Sequence, residues 1–433
     1  MRRSSSRLTM GCAGALAALG LAACGAAAMS TQRSAGTATA ASVAAAAPAT
    51  STPSAASTPT ACAATVASTL AQVGERVYRT AATSDDVAQA VGRVQGSSAL
   101  ASAIASGDAS AAGAALRALL RGQIVRIEVL RGGRVLASAG SGPAIAPVRG
   151  SIPGTGASFV LSVQSDADYL QVAHQITGAQ VLMMTSGGGA PATRRLAGTI
   201  AGPPPATVPS TGPLSYAGQS YEVASLNGAV YPSGALRIAL LVPSSALSCP
   251  GSASQTRVET QGRVGERIYE EERRSPSVST TLHQIESSTA FRAAVAAQDP
   301  SATIAAIDGF FAAHIHVVRV RVTIGKRLLV DHGGPYVLAP VRGTLRSGGR
   351  VIGHFEFSVQ DDAGYLKLAH LFTGAEVLMR VGSQQIMGTL NPGPASVPDR
   401  GTVSYGGRSY EAYSFTAEAF PSGPLRISLL IPA

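Results

Sequence analysis

The sequence contains no tryptophan, only four cysteines and few charged residues, which make up 13% of its 433 residues. It also lacks the short motifs of common enzymes: it has no Gly-x-Ser-x-Gly, phosphate-binding glycine loop, Cys-x-x-Cys or His-Glu-x-x-His. The net charge of +10 comes from scattered arginines, without a Lys/Arg run. We therefore expect neither an enzyme nor a nucleic-acid-binding protein, and we predict no cofactor.

The first 23 residues have the composition of a bacterial signal peptide. Arg2, Arg3 and Arg7 form a positive start, and a short apolar stretch follows that is too short to span a bilayer. Leu21-Ala-Ala-Cys24 resembles the lipobox of bacterial lipoproteins, in which the leader is cut before the cysteine and that cysteine receives lipid. We expect Cys24 to be lipidated and the protein to lie at the extracytoplasmic face of the cell membrane. An ordinary secretory leader, cut further along, is the alternative.

Residues 24–61 are almost entirely Ala, Ser, Thr, Pro and Gly, a composition that predicts a disordered tether. With Cys12 in the leader and Cys24 lipidated, Cys62 and Cys249 remain. An oxidising compartment would preserve a disulfide between them. Two free thiols or an intermolecular bond are the alternatives.

The rest of the chain is a duplication, with modules at 62–245 and 249–433. Residues 125–150 match 318–343 at 12 of 26 positions, and both segments end in Ala-Pro-Val-Arg-Gly. Residues 157–185 and 215–243 recur in the same way at 353–381 and 404–432. Both modules also carry Val-Gly-Glu-Arg in their first helix, at 73–76 and 264–267.

Each module predicts an α+β fold. Val66, Leu70, Val73 and Val77 form one apolar stripe of a long first helix, which short helices follow. The apolar period then changes to that of strands, interrupted by a helix with an acidic start and a glycine stop. We therefore predict, for each module, a long helix and short helices followed by an antiparallel sheet of about five strands.

The order of these elements resembles the Cache family of PAS-like extracytoplasmic sensor domains. The resemblance includes the strand pair around a glycine turn, the Ala-Pro-Val-Arg-Gly loop, Gly353-His-Phe-Glu-Phe-Ser-Val-Gln and Ser404-Tyr-Gly-Gly-Arg-Ser-Tyr410. It covers most of both modules. It implies a small-molecule ligand, such as an amino acid or a carboxylate, on one face of a sheet. Family members lie between membrane helices and signal to a cytoplasmic domain; the sequence predicts neither here, so a sensor would need a membrane protein partner.

Polar residues that recur in both copies are the candidate ligand contacts. Arginine is suited to a ligand carboxylate, although it can equally bind neighbouring carbonyls. The tyrosines could line a pocket or simply pack, and the histidines share a helix with one tyrosine of each copy. The candidates are Arg149, Tyr169, His174 and Tyr221 in the first module and Arg342, Tyr365, His370 and Tyr410 in the second.

A metal site is not predicted. His314 and His316 have a spacing that can chelate a metal on a strand, but no third ligand is apparent and the first copy lacks the pair.

We thus expect a lipid-anchored extracytoplasmic protein that binds a small molecule and acts through a membrane partner. The alternative is an envelope interaction or structural lipoprotein without a small ligand. Delivery to a transporter would need a cleft between α/β lobes, which the antiparallel pattern disfavours. Deep pockets would favour the first function, and filled sheet faces the second.

Overall fold

The computed structural model describes residues 59–120, 123–185, 194–200, 202–203, 205–232, 234–249, 251–313, 317–334, 337–420 and 423–433. The predicted signal peptide, Cys24 and most of the tether lie outside these residues. The first helix begins at Pro59, near the end of the predicted tether. Proline suits a first helical turn because the missing N–H has no partner there. Within the described residues, no helix is both long and apolar enough to cross a membrane.

Four helices open the first module. They are α1 (Pro59–Thr83), α2 (Asp85–Gln95), α3 (Ser98–Ser106) and α4 (Ala109–Leu119). Ser84, Ser97 and Asp108 cap the three short helices, each accepting a backbone N–H in the first turn. Short capped helices with one apolar face pack well on a sheet, and α2–α4 do so on the first sheet of the module.

The strands of the first module form two main sheets. Those before the fifth helix are β1 (Arg126–Arg131), β2 (Arg134–Gly140), β3 (Ala144–Ile145), β4 (Val148–Ile152), β5 (Ala157–Ser162) and β6 (Gln164–Ser165). After α5 (Asp166–Thr177) come β7 (Gln180–Thr185), β8 (Arg194–Gly198), β9 (Thr211–Tyr216), β10 (Gln219–Ala229) and β11 (Ala235–Pro243). The outer sheet has the order β2-β1-β5-β4, and the inner sheet β8-β7-β11-β10-β9.

The second module repeats this plan. Its helices are α6 (Ala253–Arg274), α7 (Pro276–Ser287), α8 (Thr289–Ala296), α9 (Pro300–Ala312) and α10 (Asp362–Thr373). Its outer sheet, β13-β12-β16-β15, contains β12 (Arg319–Ile324), β13 (Arg327–Gly333), β15 (Val341–Ser347) and β16 (Arg350–Ser358). The inner sheet contains β14 (Val337–Leu338), β17 (Glu376–Val381), β18 (Gln384–Gly388), β19 (Arg400–Tyr405), β20 (Arg408–Phe420) and β21 (Gly423–Pro432).

The fold class is confirmed: the chain is α+β with two tandem modules. The separation into an outer and an inner sheet in each module is an addition to the prediction, which had assigned the strands to one sheet. Among the described residues, the outer sheets have four strands each and the inner sheets have five and six, close to the expected number of about five.

The two modules share one hydrophobic core. The long helices α1 and α6 pack against each other between the inner sheets, together with α5 and α10. Val73, Leu240, Ile268 and Leu429, taken from both modules, belong to the same buried cluster. Because burial of apolar area is the main stabilising term in folding, the two copies stabilise each other as one body.

A disulfide joins the modules near the starts of α1 and α6. The sulfurs of Cys62 and Cys249 are bonded, with Cα atoms 5.8 Å apart. The bond closes a loop with a sequence separation of 187 residues. On a chain-entropy basis, a loop of this length stabilises the folded state by about 5 kcal/mol.

Candidate functional site

The outer sheet of the second module has a core face and an open face. On the core face, Phe355 and Phe357 pack under α7–α9, and Phe291 of α8 contacts Phe355. The strand alternation places polar side chains on the opposite, open face.

Two cross-strand rows form this open face. Arg321 lies opposite Glu356, which lies opposite Arg342. In the next row, Thr323 lies opposite His354, and His354 opposite Thr344. All six residues, with Gly343 and Phe355, line a half-open cleft of about 400 Å³. We call this the open-face cleft.

Arg342 is held by two carboxylates. Its Nε donates to Glu356 at 2.7 Å, and its terminal nitrogens donate to Glu418 of β20, which belongs to the inner sheet. These carboxylates raise the pKa of Arg342 above its usual value. Arg342 therefore joins the outer sheet to the inner one, and a ligand would have to compete for it.

Arg321 differs from Arg342 in having no carboxylate partner among the described residues. Its side chain is half-buried on the sheet, and its Nε is inaccessible to solvent and makes no hydrogen bond in the part of the chain described. A buried N–H without an acceptor carries a desolvation cost of about 1–3 kcal/mol.

Arg319 lies on the next row of the open face. It forms a bidentate pair with Asp331, at 2.7 and 2.9 Å, and its guanidinium lies 5.6 Å from the centre of the Phe420 ring. Arg319 is thus committed to structural contacts, and Arg321 is the cation that can recognise an anion in the cleft.

The first module has a different surface at the same place. Arg149 is exposed and has no ion pair or hydrogen bond within the residues described, because Val160 occupies the position of Glu356 and Ala229 that of Glu418. Glu128, which replaces Arg321, is buried 3.4 Å from the Tyr231 hydroxyl. The first copy therefore has no counterpart of the Arg321 guanidinium or of the Glu356 and Glu418 carboxylates.

Tyr169 and Tyr365 lie far inside the molecule. Both are fully buried, and their hydroxyls donate to the carbonyls of Gly74 and Gly265 at 3.0 Å. Burial raises both tyrosine pKa values above the ordinary value. These tyrosines bind the long helices and have no surface for a ligand, so they are not part of the site.

His174 and His370 lie at the ends of α5 and α10. Each Nδ1 is 2.8 Å from the carbonyl oxygen five residues further on, that of Ala179 or Ala375. A histidine at this position satisfies a backbone group where the helix stops at glycine. Neither ring faces the open-face cleft.

Tyr221 and Tyr410 are buried in the packing of the inner sheets, away from the outer sheets. The Tyr221 hydroxyl donates to Gln219 at 2.6 Å. Of the eight predicted ligand contacts, the structure thus places only Arg342 in the open-face cleft. His314 and His316 lie outside the described residues, which contain no group of three or more His, Cys, Asp or Glu side chains able to hold a metal.

The repeated Val-Gly-Glu-Arg segments prove to hold the modules together. Arg76 of the first module donates to the carbonyls of Phe372 and Thr373, at 3.2 and 2.6 Å, at the end of α10 in the second. Arg267 of the second module donates to Thr177 at the end of α5 in the first. A cation at a helix C-terminus is favourable because the last carbonyls carry partial negative charge. The Val-Gly-Glu-Arg segments thus recur because they dock the two modules on each other.

Two acids of the second module have strongly raised pKa values. Burial, with Glu271 and Asp361 nearby, raises the pKa of Glu272 to about 8. Burial and Asp361 raise the pKa of Asp362 to about 7, with Arg319 opposing the shift. Both Asp362 oxygens lack a hydrogen-bond donor within the described residues. Ala81 occupies the corresponding position to Glu272 in the first module.

No family model and no curated protein matches the chain. Among solved structures, the periplasmic domain of Vibrio cholerae LuxQ is similar, at 11% identity and a TM-score of 0.29, over 41% of this chain and 100% of that one. A selenomethionine crystal structure of that domain is similar at 13% identity and a TM-score of 0.25, over 42% of this chain and 97% of that one.

Proposed function

We propose that this protein is a lipid-anchored extracytoplasmic binding protein of sensor type. Its ligand is a small anion, such as an amino acid or another carboxylate, bound in the open-face cleft of the second module, and it acts through a membrane partner. The observation that carries the proposal is the Arg321 side chain: a cation on the wall of a cleft of about 400 Å³, with no ion-pair partner among the residues that the structure describes.

The chemistry of the cleft favours an anion with hydrogen-bonding groups. Arg321 and Arg342 supply planar N–H donors suited to carboxylate oxygens. Thr323, Thr344 and His354 add polar groups able to form hydrogen bonds. Glu356 would accept from a ligand ammonium group, which is why an amino acid fits the class.

The anchoring part of the proposal rests on the sequence around Cys24. A diacylated cysteine followed by a flexible tether would hold the modules near the membrane, where a partner could contact them. Cys24→Ser should move the protein out of the membrane fraction. Unchanged fractionation would remove the lipid anchor from the proposal.

Ligand binding is tested by a thermal-shift screen of the mature protein against amino acids and small carboxylates. At a ligand concentration of 100 times Kd, binding should stabilise the fold by about 2.7 kcal/mol. Arg321→Gln should abolish the shift, and Arg149→Gln in the first module is the matched control that should retain it. If the Arg321→Gln protein responds like the wild type, the open-face cleft is not the site.

A second function is favoured by the filled core faces of both outer sheets. Phe159 occupies the core face in the first module, and Phe355 does so in the second. Sheets whose core faces are filled, in two modules that share a core, suit an envelope interaction protein that recognises a partner through its outer surface. Loss of the cellular phenotype in an Arg149→Gln but not an Arg321→Gln strain would favour this alternative.

A further inference from the structure

We infer that Glu418 binds Arg342 of the open-face cleft as an internal substitute for the ligand, and that an entering anion displaces it from Arg342. This inference rests on the proposed function, since it concerns the same cleft. The Glu418 carboxylate then couples ligand binding in the cleft to the helices at the centre of the molecule.

The position of Glu418 supports this role. The residue belongs to β20 of the inner sheet, yet its carboxylate accepts from Arg342 on β15 of the outer sheet. Arg342 is the one predicted ligand contact that lines the cleft. A carboxylate from the protein itself therefore already binds the group that a carboxylate ligand would bind.

The contact is of a kind that a ligand can displace. The Arg342 side chain is 55% exposed and that of Glu418 is 33% exposed. Ion pairs with this degree of exposure contribute little net stability, because water competes for both groups. The entering anion would gain Arg321 as well, and Arg321 has no partner to give up among the described residues.

Glu418 also has an alternative partner. Its carboxylate lies 4.0 Å from the guanidinium of Arg273, near the end of α6. After displacement it can therefore move toward Arg273 without being left as an unpaired charge. The exchange replaces a contact between the two sheets with a contact between the inner sheet and α6.

The backbone of Glu418 links the inner sheet to α6 and to the segment just before β15. Its N–H donates to the Tyr269 hydroxyl at 2.8 Å, and its carbonyl accepts the N–H of Ala339 at 2.9 Å. Tyr269 belongs to α6, which packs on α1 of the first module. A change of partner at the Glu418 side chain therefore takes place next to α6 and the shared core. A ligand that binds better when Glu418 is paired with Arg273 than when it is paired with Arg342 shifts the equilibrium between these two arrangements.

The first module offers an internal comparison. The Tyr78 hydroxyl donates to the Ala229 carbonyl at 3.2 Å and accepts the Ala229 N–H at 2.7 Å. In the same way, the Tyr269 hydroxyl donates to the Glu418 carbonyl at 3.4 Å and accepts the Glu418 N–H. The backbone attachment is therefore common to both copies, and the carboxylate is confined to the second. Exchange with a ligand is accordingly a property of the second module only.

The test compares wild-type protein with Glu418→Gln, using acetate and succinate as probes in calorimetric titrations of the full mature chain. Removing the internal competitor should tighten binding of at least one probe by about 3- to 10-fold. The matched control is Glu411→Gln, which removes the same charge from the same strand, where the carboxylate accepts from Thr402 instead. Its affinity should stay within 2-fold of the wild type, about 0.4 kcal/mol.

Hydrogen exchange at the Ala339 amide provides the second measurement, because this N–H donates to the Glu418 carbonyl. A probe should change the hydrogen-exchange rate of this amide in wild-type protein. It should not change that rate in Glu418→Gln, where residue 418 has no carboxylate to be displaced from Arg342. Binding to Glu418→Gln alone, with none detected in wild type, would also support the inference.

Equal affinities of the wild type and Glu418→Gln would overturn the inference and leave the proposed function standing, provided that Arg321→Gln abolishes binding. Binding that survives in Arg321→Gln would reject the cleft itself. If neither protein binds either probe, both the inference and the carboxylate part of the proposed function are rejected.

Discussion

The centre of the molecule and the open faces of its outer sheets treat the duplication in opposite ways. At the centre, equivalent residues make equivalent contacts: Arg76 and Arg267 each bind a helix end in the other module. On the open faces, Glu356 of the second copy corresponds to Val160 in the first. The two copies are alike at these helix-end contacts and unlike on the open faces.

This difference shows which kind of residue is identified by its recurrence in both copies. A residue that docks one copy on the other is needed twice, because the interface is formed by the same surface from both sides. A binding site is needed only once. The open-face cleft is therefore formed largely by residues that differ between the copies. One module has the binding site, although both modules have the same fold.

The largest expected effect concerns Glu272, which has only Ala81 as its counterpart. Between about pH 4.5, the ordinary value, and about pH 8, Glu272 stays protonated when folded and ionises when unfolded. Its stabilising contribution is therefore complete below about pH 4.5 and is lost as the pH rises to about 8, at about 1.4 kcal/mol per pH unit. Denaturant unfolding across this range should show the decrease.

Two variants make the second copy resemble the first at this position. Glu272→Gln keeps the size of the neutral carboxyl, and Glu272→Ala introduces the residue of the first module. Subtracting either variant's pH profile from that of the wild type should leave the Glu272 contribution. If the profiles are parallel from pH 5 to pH 8, the buried acid does not titrate as described.

The next effect concerns a helix glycine that faces a tyrosine in the second module. A Cβ at Gly262 would overlap the ring of Tyr413. The first module has Ala71 and Ala224 at these two positions, so the space is divided differently. Gly262→Ala should destabilise the protein by about 3 kcal/mol through overpacking, as measured by chemical denaturation.

The matched control is Gly309→Ala on the exposed side of α9, where an added Cβ meets no atom within 4 Å. That change should stabilise the protein by about 0.5–1 kcal/mol because alanine favours helix. A double-mutant cycle of Gly262→Ala with Tyr413→Ala should show coupling of at least 1 kcal/mol. Additive effects would contradict the proposed overlap.

The sequence was sufficient for the local elements because local physics determines them. Asp361 accepts the Gly364 N–H at the start of α10, and Gly374 ends that helix in a left-handed conformation, as expected from an acidic start and a glycine stop. Strand alternation showed which residues share a face. It does not show which strands pair, so the outer and inner sheets were not separated.

The candidate site was predicted less well for a related reason. Arg342 was selected because it recurs in Ala-Pro-Val-Arg-Gly, but the same criterion also selected Tyr169 and Tyr365, which recur because they bind the long helices. Arg321 and Glu418 differ between the copies and were therefore passed over. The contact between Arg342 and Glu418 spans 76 residues of sequence, and no local pattern identifies it.

A smaller effect tests the symmetry of the centre. Arg76→Met and Arg267→Met each remove a guanidinium from helix carbonyls of the other module, whose backbone oxygens then lose a charged donor. Each change should cost about 2 kcal/mol, in the range for a hydrogen bond to a charged group. Denaturation midpoints should fall by similar amounts in the two variants. A loss confined to one of them would show that the two modules do not dock equivalently.

The smallest expected effect concerns the arginines of the open faces. Arg342→Gln removes ion pairs to Glu356 and Glu418, but the Arg342 side chain is 55% exposed, so stability should fall by at most about 1 kcal/mol. Arg149→Gln removes an exposed side chain without an ion pair in the described structure and should change stability by less than about 0.5 kcal/mol. Denaturation at low and high salt distinguishes the two, since only the Arg342 contribution should be screened. A loss well above 1 kcal/mol for Arg342→Gln would mean that the contact to Glu418 supports the fold, and a ligand could then displace it only at a substantial cost in affinity.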